Sequence, residues 1–418
     1  MAADITRTID AVWRIEAPKL IAGLARMTRD VGQAEELAQD ALVAALERWP
    51  ETGVPDNPAA WLMATAKNRA IDNIRRRKLA ERKHEEFGRD LEAEQETVPD
   101  FDAALDDSIG DDLLRLMFTA CHPVLSPEAR VALALRMLGG LSTPEIARAF
   151  LVPEATMAQR IVRAKRTLSE EGVGFETPSG DELNERLASV LEAIYLIFNE
   201  GYAATAGDDW MRPQLCEEAL RLGRVLAGLM PDEPEVQGIV ALMEIQASRL
   251  GARTDAEGQP ILLLDQNRAR WDQLLIRRGL AALERAESLG RRGPYTMQAA
   301  IAACHARARR AEDTDWPRIA ALYLALQQMA PSPVVEVNRA VAVAMAFGPA
   351  QGLEILDEVQ DEPALKSYHL LPAVRADLLE KLGRKDEARA EFERAAAMTQ
   401  NARERAVLSG RAAAIGGG

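Results

Sequence analysis

Gln159, Arg160, Arg163 and Arg166 share one side of a helical pattern near the middle of the first half of the chain. The opposite side carries Met157, Ile161, Ala164 and Leu168, spaced 4, 3 and 4 residues apart, a single apolar stripe at helical period. Guanidinium and carboxamide groups displayed on a helix offer charge-assisted contact to phosphate and bidentate hydrogen bonds to base edges. The residues just upstream would position such a helix. Ser126-Pro127 reads as an N-cap and first-turn proline, and Gly139-Gly140 as the end of that helix. Ser142-Thr-Pro-Glu145 reads as a capping box opening a short helix with Ile146, Ala147 and Phe150 inward. Leu151-Val152-Pro153 then makes the turn into the basic helix. This is the plan of a helix-turn-helix that enters a major groove. Two amphipathic helices with a merely solvated basic face fit the same letters, so the stretch alone leaves both readings open.

A second constellation lies upstream, in AAWLMATAKNRAIDNIRRRK. Leu62, Ala66, Ala70 and Ile74 can face a core, while Trp61, Thr65, Asn68 and Asp72 share another face. Lys67, Arg69, Arg75, Arg76, Arg77 and Lys78 are close by. An indole, an amide and several guanidinium groups suit unstacked bases beside a phosphate track. A core tryptophan and a basic helix end that favours the macrodipole are the plainer alternative. Enzyme chemistry finds no support: there are no paired catalytic carboxylates in a motif, no nucleophile elbow and no phosphate loop. No catalytic residue, metal or cofactor is expected. Cys121-His122-Pro123 lacks a second pair of ligands nearby and reads as a packed helix end.

The chain has 418 residues, 48% of them hydrophobic and 5% aromatic, with no long strand-like alternation, so the fold class is all-α. Three widely spaced cysteines suit a reducing cytoplasm. The N-terminal residues lack a signal peptide's apolar core, and no apolar run is long enough to span a bilayer. The net charge of −14 averages unlike segments. Positive charge gathers at residues 67–83 and 160–166, and local patches govern phosphate contact. An amphipathic helix is expected over residues 9–27 with Val12, Ile15, Leu20 and Leu24 inward. A second is expected over 32–49, stopped by Pro50, with Ala38, Leu42, Ala45, Leu46 and Trp49 inward. Pro55-Asp-Asn-Pro58 reads as a loop ending in an N-cap and a first-turn proline.

In order and spacing, AEELAQDALVAALERW, AWLMATAKNRAIDNIRRRK and LSTPEIARAFLVPEATMAQRIVRAKRTL resemble the successive motifs of extracytoplasmic-function sigma factors over residues 8–170. The resemblance implies two small helical sigma domains. Residues 8–83 would be a region 2 domain that binds core RNA polymerase and the −10 element, and residues 111–172 a region 4 domain that binds the −35 element. Core RNA polymerase, through its β′ clamp helices and β flap, and promoter DNA are the implied partners. Glu36, Gln39, Asp40 and Trp49 are the implied polymerase contacts. Trp61, Lys67, Asn68, Arg69, Asp72, Arg75 and Arg76 would take the −10 strand, with Asn68 holding an extruded base. Thr156, Ala158, Gln159, Arg160, Arg163 and Arg166 would read the −35 element. Many relatives carry Lys or Arg where Ala158 stands, which leaves the −35 sequence open. Residues 84–110 form an acidic linker: residues 85–112 hold a dozen acids and one Arg. It is either a solvated tether or, as the resemblance suggests, a mimic of nascent RNA.

After VGFETPSGDE, residues 183–412 read as helices arranged in pairs, resembling tetratricopeptide units of about 34 residues, best at the C-terminal end. FNEGYAAT and GDDWMRPQLCEEALRLGRVL look like motifs of the sigma subgroup with a long C-terminal extension of this kind. Asn199, Glu200, Asp208 and Asp209 fit capping and turn chemistry. The expectation is a cytoplasmic, non-enzymatic sigma factor whose α-solenoid-like extension contacts the sigma domains and modulates their activity. The rival is a helix-turn-helix regulator whose repeats sense a ligand or protein. The segment before residue 85 discriminates, because a plain regulator needs neither a polymerase-docking nor a strand-opening helix.

Overall fold

The computed structural model describes residues 2–85, 109–290 and 292–416, without the side chains of 2–4, 72–85, 109, 181 and 416. The acidic linker expected at 84–110 falls almost wholly outside the described residues. The chain divides into two compact units, Met1–Ile194 and Tyr195–Gly418.

The first unit opens with α1 (Ala2–Thr28), α2 (Val31–Thr52) and α3 (Pro58–Glu85). Asp30 caps α2, accepting from the Gln33 N–H at 2.9 Å. Pro50 does not stop α2: it sits in the last turn, where its missing N–H removes only one bond, and the helix ends at Gly53 with φ 83°. Asn57 caps α3 ahead of Pro58, as the loop residues led us to expect. On α1 the core face is Ile9, Ala17, Leu20, Ile21 and Leu24, whereas Ile15 is 62% exposed. Five residues separate Ile15 from Leu20, a rotation of about 140° off the same face, so the two cannot belong to one stripe. Leu46 of α2, also expected inside, is exposed.

The unit continues through α4 (Ile109–Ala120), α5 (Pro127–Leu133) with a π turn (Ala134–Leu138), α6 (Thr143–Ala149) and α7 (Glu154–Glu170). Ser126 caps α5 and the Ser142–Glu145 capping box is complete. Met157, Ile161, Ala164 and Leu168 are all buried. Gly140 ends the π turn at φ 66°, and a Cβ there would come within 3.3 Å of the Arg14 Cα. That glycine lets α1 pass against the helix-turn-helix. The α1–α3 and α4–α7 groups are joined by ion pairs: Arg14–Glu145 at 2.8 Å, Arg26–Asp112 at 3.4 Å, and Glu35 with both Arg136 (2.9 Å) and Lys165 (2.7 Å).

The first half of α8 (Asp181–Tyr202) belongs to this unit. The Ser189 hydroxyl donates to the Cys121 carbonyl at 2.7 Å and accepts from Arg130. Arg186 donates to the Phe118 carbonyl at 3.2 Å. Cys121 is thus a buried helix end, its thiol pushed up to about 12 by burial.

The second unit stacks α9 (Pro213–Leu229), α10 (Pro234–Ala247), α11 (Gln273–Ser288), α12 (Pro294–Arg307), α13 (Trp316–Met329), α14 (Pro333–Phe347), α15 (Pro349–Val359), α16 (Leu370–Lys381), α17 (Lys385–Met398) and α18 (Ala402–Gly416). Successive helices pack on one another, and Gly383 with φ 78° turns α16 into α17 above the buried Ala388 and Ala395. The two ends of the stack meet. β1 (Ala206–Gly207) pairs in parallel with β2 (Gln400–Asn401), and Asn401 donates to the carbonyls of Ala204 (3.1 Å) and Asp209 (2.9 Å). The FNEGYAAT–GDDW segment makes this closure: Glu200 pairs with Arg212, and the Asp208 carbonyl accepts from Arg403. Gly201 is required there, since a Cβ would lie 2.6 Å from the Cys216 nitrogen.

Candidate nucleic-acid interface

The outer face of α7 is free to act. Thr156, Gln159, Arg163 and Arg166 are exposed, and Ala158 and Arg160 are half-buried. The phase follows from the buried stripe, and the left-handed Leu151 (φ 50°) makes the tight turn that presents the helix N-terminus. Thr156, Gln159, Arg160 and Arg163 border a groove shared with the start of α5. Arg166 instead reaches Glu170 at 2.6 Å, a surface pair of little energetic weight.

On α3, Asn68 is exposed and Lys67, Arg69 and Trp61 are half-buried. Trp61 meets Trp49 edge to face, ring centres 5.4 Å apart. Lys67 and Asn68 border a cleft of about 520 Å³ whose walls include Leu20, Gly23 and Met63, spacious enough for a nucleobase. The side chains of Asp72, Arg75 and Arg76 lie outside the described residues.

On α2, Glu36 and Asp40 are exposed, and the half-buried Gln39 donates to Glu35. Trp49 is not a surface contact: it is 1% exposed and its ring belongs to the core between α2 and α3. Sequence reasoning missed Val43, which is 49% exposed beside Leu46 at 41%. Both are apolar residues on the acidic outer face of α2, the composition of a protein-docking patch rimmed by charge. The signal available was the placement of Val43 among Glu36, Gln39, Asp40 and Glu47, outside the Ala38–Leu42–Ala45 stripe. Asp40 pairs with Arg69 at 3.4 Å, so the α2 and α3 faces adjoin.

Residues 13–79 match the family described as Sigma-70 region 2, and residues 115–168 match Sigma-70, region 4. Over 155 residues the chain is 34% identical to the ECF RNA polymerase sigma factor SigL of Mycobacterium tuberculosis, covering 35% of this chain and 81% of that protein. The chain belongs to the ECF RNA polymerase sigma factor family. The sigma factor SigK of Mycobacterium ulcerans is 27% identical over 150 residues, 35% of this chain and 75% of its own length. An uncharacterized protein of Rhizobium meliloti is 44% identical over 405 residues, 96% of this chain and 95% of its own. Residues 186–287 match a family of unknown function, DUF6596. The sigma family is non-enzymatic, and its two domains imply binding to RNA polymerase and promoter DNA. No helix among the described residues is long and apolar enough to cross a membrane. Among those residues, no group of three His, Cys, Asp or Glu is placed to hold a metal ion.

Proposed function

We propose that this sigma factor docks core polymerase through the outer face of α2, with Glu36, Gln39 and Asp40 around Val43 and Leu46, against the β′ clamp helices. The region 4 domain would engage the β flap. The face of α3 that includes Trp61, Lys67, Asn68 and Arg69 would hold the opened −10 strand, a flipped base entering the cleft beside Asn68. Asp72, Arg75 and Arg76 would extend that face. Thr156, Ala158, Gln159, Arg160, Arg163 and Arg166 of α7 would lie along the −35 major groove. The reaction is carried out by polymerase, in the cytoplasm where promoters are. The observation that carries this reading is the exposed apolar pair Val43 and Leu46 on the acidic side of α2. A free-standing regulator has no use for such a patch. Gel filtration with core polymerase should give a stoichiometric complex that Asp40→Arg weakens. The fold should survive, because an exposed substitution changes stability within about 0.5 kcal/mol. No complex with the wild-type chain would end the sigma reading. Arg163→Ala should cost about 1–3 kcal/mol of promoter affinity on one −35 sequence and less on its variants. An equal loss on all of them would move Arg163 to phosphate.

The C-terminal stack is proposed to support transcription rather than block it. Cutting after Gly180 would not isolate that role, because it also removes Arg186 and Ser189 from α4 and α5. Run-off transcription after truncation beyond Ile194 should fall relative to full length at matched folded concentration, and a rise would reverse the sign.

A further inference from the structure

The second unit carries a set of cations for which promoter recognition has no use. Arg249 and Arg253 follow α10, and Arg268 opens a short turn before α11. The Arg253 guanidinium lies 3.7 Å from the centre of the Tyr202 ring, and the Arg249 guanidinium 5.7 Å from that same ring. Arg249 is also 5.8 Å from the Trp271 ring, which Arg268 approaches to 4.9 Å. Two shared rings therefore gather three guanidinium groups in one place.

Their protein partners are neutral. Arg249 donates to the Gln246 side chain and Arg253 to the Tyr202 carbonyl. Arg268 donates to the carbonyls of His305 (2.6 Å) and Ala308 (2.8 Å) and to the Thr314 hydroxyl (3.1 Å). Among the described residues, none of the three has a carboxylate oxygen within 4.0 Å. Arg249 and Arg253 are each 8% exposed. The Nε atoms of Arg249 and Arg268, the Nδ1 of His305 and the indole nitrogen of Trp271 are buried without a partner. Glu312 and Asp313 favour the Arg268 charge from a distance, but Asp313 is held by Arg310 at 3.2 Å.

Buried charge without a counter-charge is costly, and elsewhere in this chain it is avoided. Glu35, Glu200 and Glu244 each neutralise the arginines around them. Here burial, and after it the Arg249 charge, lowers the pKa of both Arg253 and Arg268, and the same two causes with Arg268 bring His305 down to about 4. The cluster also borders an interior shared by distant helices. The Tyr323 hydroxyl on α13 is pushed up to about 12 by burial, then by Tyr195 of α8 and Tyr368 ahead of α16, with Arg249 opposing.

We propose that Arg249, Arg253 and Arg268 form a binding site for a small soluble oxyanion, a phosphate or carboxylate group that supplies the missing negative charge. Guanidinium groups bind both by paired N–H donors, and the unpartnered Nε atoms are the donors left for it.

The test uses the full-length protein with inorganic phosphate, succinate and chloride at equal ionic strength, following melting temperature and tryptophan fluorescence. Phosphate or succinate should give a saturable rise in melting temperature and a fluorescence change through Trp271, which chloride does not reproduce. A response to phosphate alone points to a phosphorylated ligand, and a response to succinate alone to an organic acid. Arg249→Gln and, separately, Arg268→Gln should weaken that response about tenfold or more, the weight of a charge-assisted hydrogen bond. Unliganded Arg249→Gln should melt no lower than wild type, since a repelling charge is gone. Absence of a saturable response in wild type would overturn the site. So would an unchanged response in whichever variant folds, which would mark an adventitious ion only.

Discussion

Two buried clusters of basic side chains, one in each compact unit, are built on opposite terms. In the first, Glu35 is 3% exposed and accepts from Arg136 and Lys165, so one carboxylate holds two cations between α2, the π turn and α7. Its hydrogen bonds use both carboxylate oxygens. In the second, Arg249, Arg253 and Arg268 stand over Tyr202 and Trp271 with neutral oxygens alone. Within one chain, a basic group can be buried by neutralising it or by leaving its charge available. The first choice makes a structural joint and the second suits a receptor.

The largest expected effect comes from turning the first cluster into a copy of the second. Glu35→Gln keeps the shape and removes the charge, leaving Arg136 and Lys165 facing each other. Loss of one partner of a buried pair costs about 3–5 kcal/mol, and the partial exposure of both cations places this case at the low end. Urea unfolding followed by circular dichroism reads it. A loss below about 1 kcal/mol, the range of an exposed pair, would mean that Glu35 is no joint.

A somewhat smaller effect is expected from pH at the second cluster. Burial, then Arg249 and Arg268, holds His305 near 4, below its usual 6.5. The unfolded chain takes up a proton between these values while the folded chain refuses it, so stability falls as pH drops from 6.5 towards 4. The loss is about 3 kcal/mol over that window. Subtracting the pH profile of His305→Asn isolates the contribution from carboxylates that titrate nearby. Saturating phosphate or succinate should shrink it, because a bound oxyanion favours the imidazolium. A difference profile that is flat from pH 6.5 to 4 would place His305 in water.

The smallest effect should come from Arg249→Gln without added anion. Removing a buried, uncompensated charge is often neutral or stabilising, offset here by lost contact with the Tyr202 and Trp271 rings, so a net change under about 1 kcal/mol is expected. A loss comparable to that of Glu35→Gln would erase the contrast between the clusters.

Much of the first unit was legible because its information is local. Caps at Ser126 and Ser142, the first-turn Pro58 and the 4-3-4 stripe of α7 each act within a few residues, and all stand where the letters put them. The errors are errors of phase and surroundings. Ile15 and Leu46 are apolar yet exposed, and Trp49 sits inside with Trp61 on its edge. Hydrophobicity alone does not say whether an apolar side chain meets a core or awaits a partner. Val43 escaped notice for the same reason.

The sequence by itself determined the all-α class, the helix-turn-helix and its basic face, and the order of the polymerase- and DNA-facing motifs. Each rests on helical period and capping, which residues three or four apart decide between themselves. Tertiary structure alone decided that Glu35 meets Lys165 across 130 positions and that Asn401 ties back to Ala204 across 197. It also decided that arginines 249, 253 and 268 share two aromatic rings and no acid. Charge is a property of a residue, but whether that charge is paired depends on which distant segments the fold brings within about 4 Å.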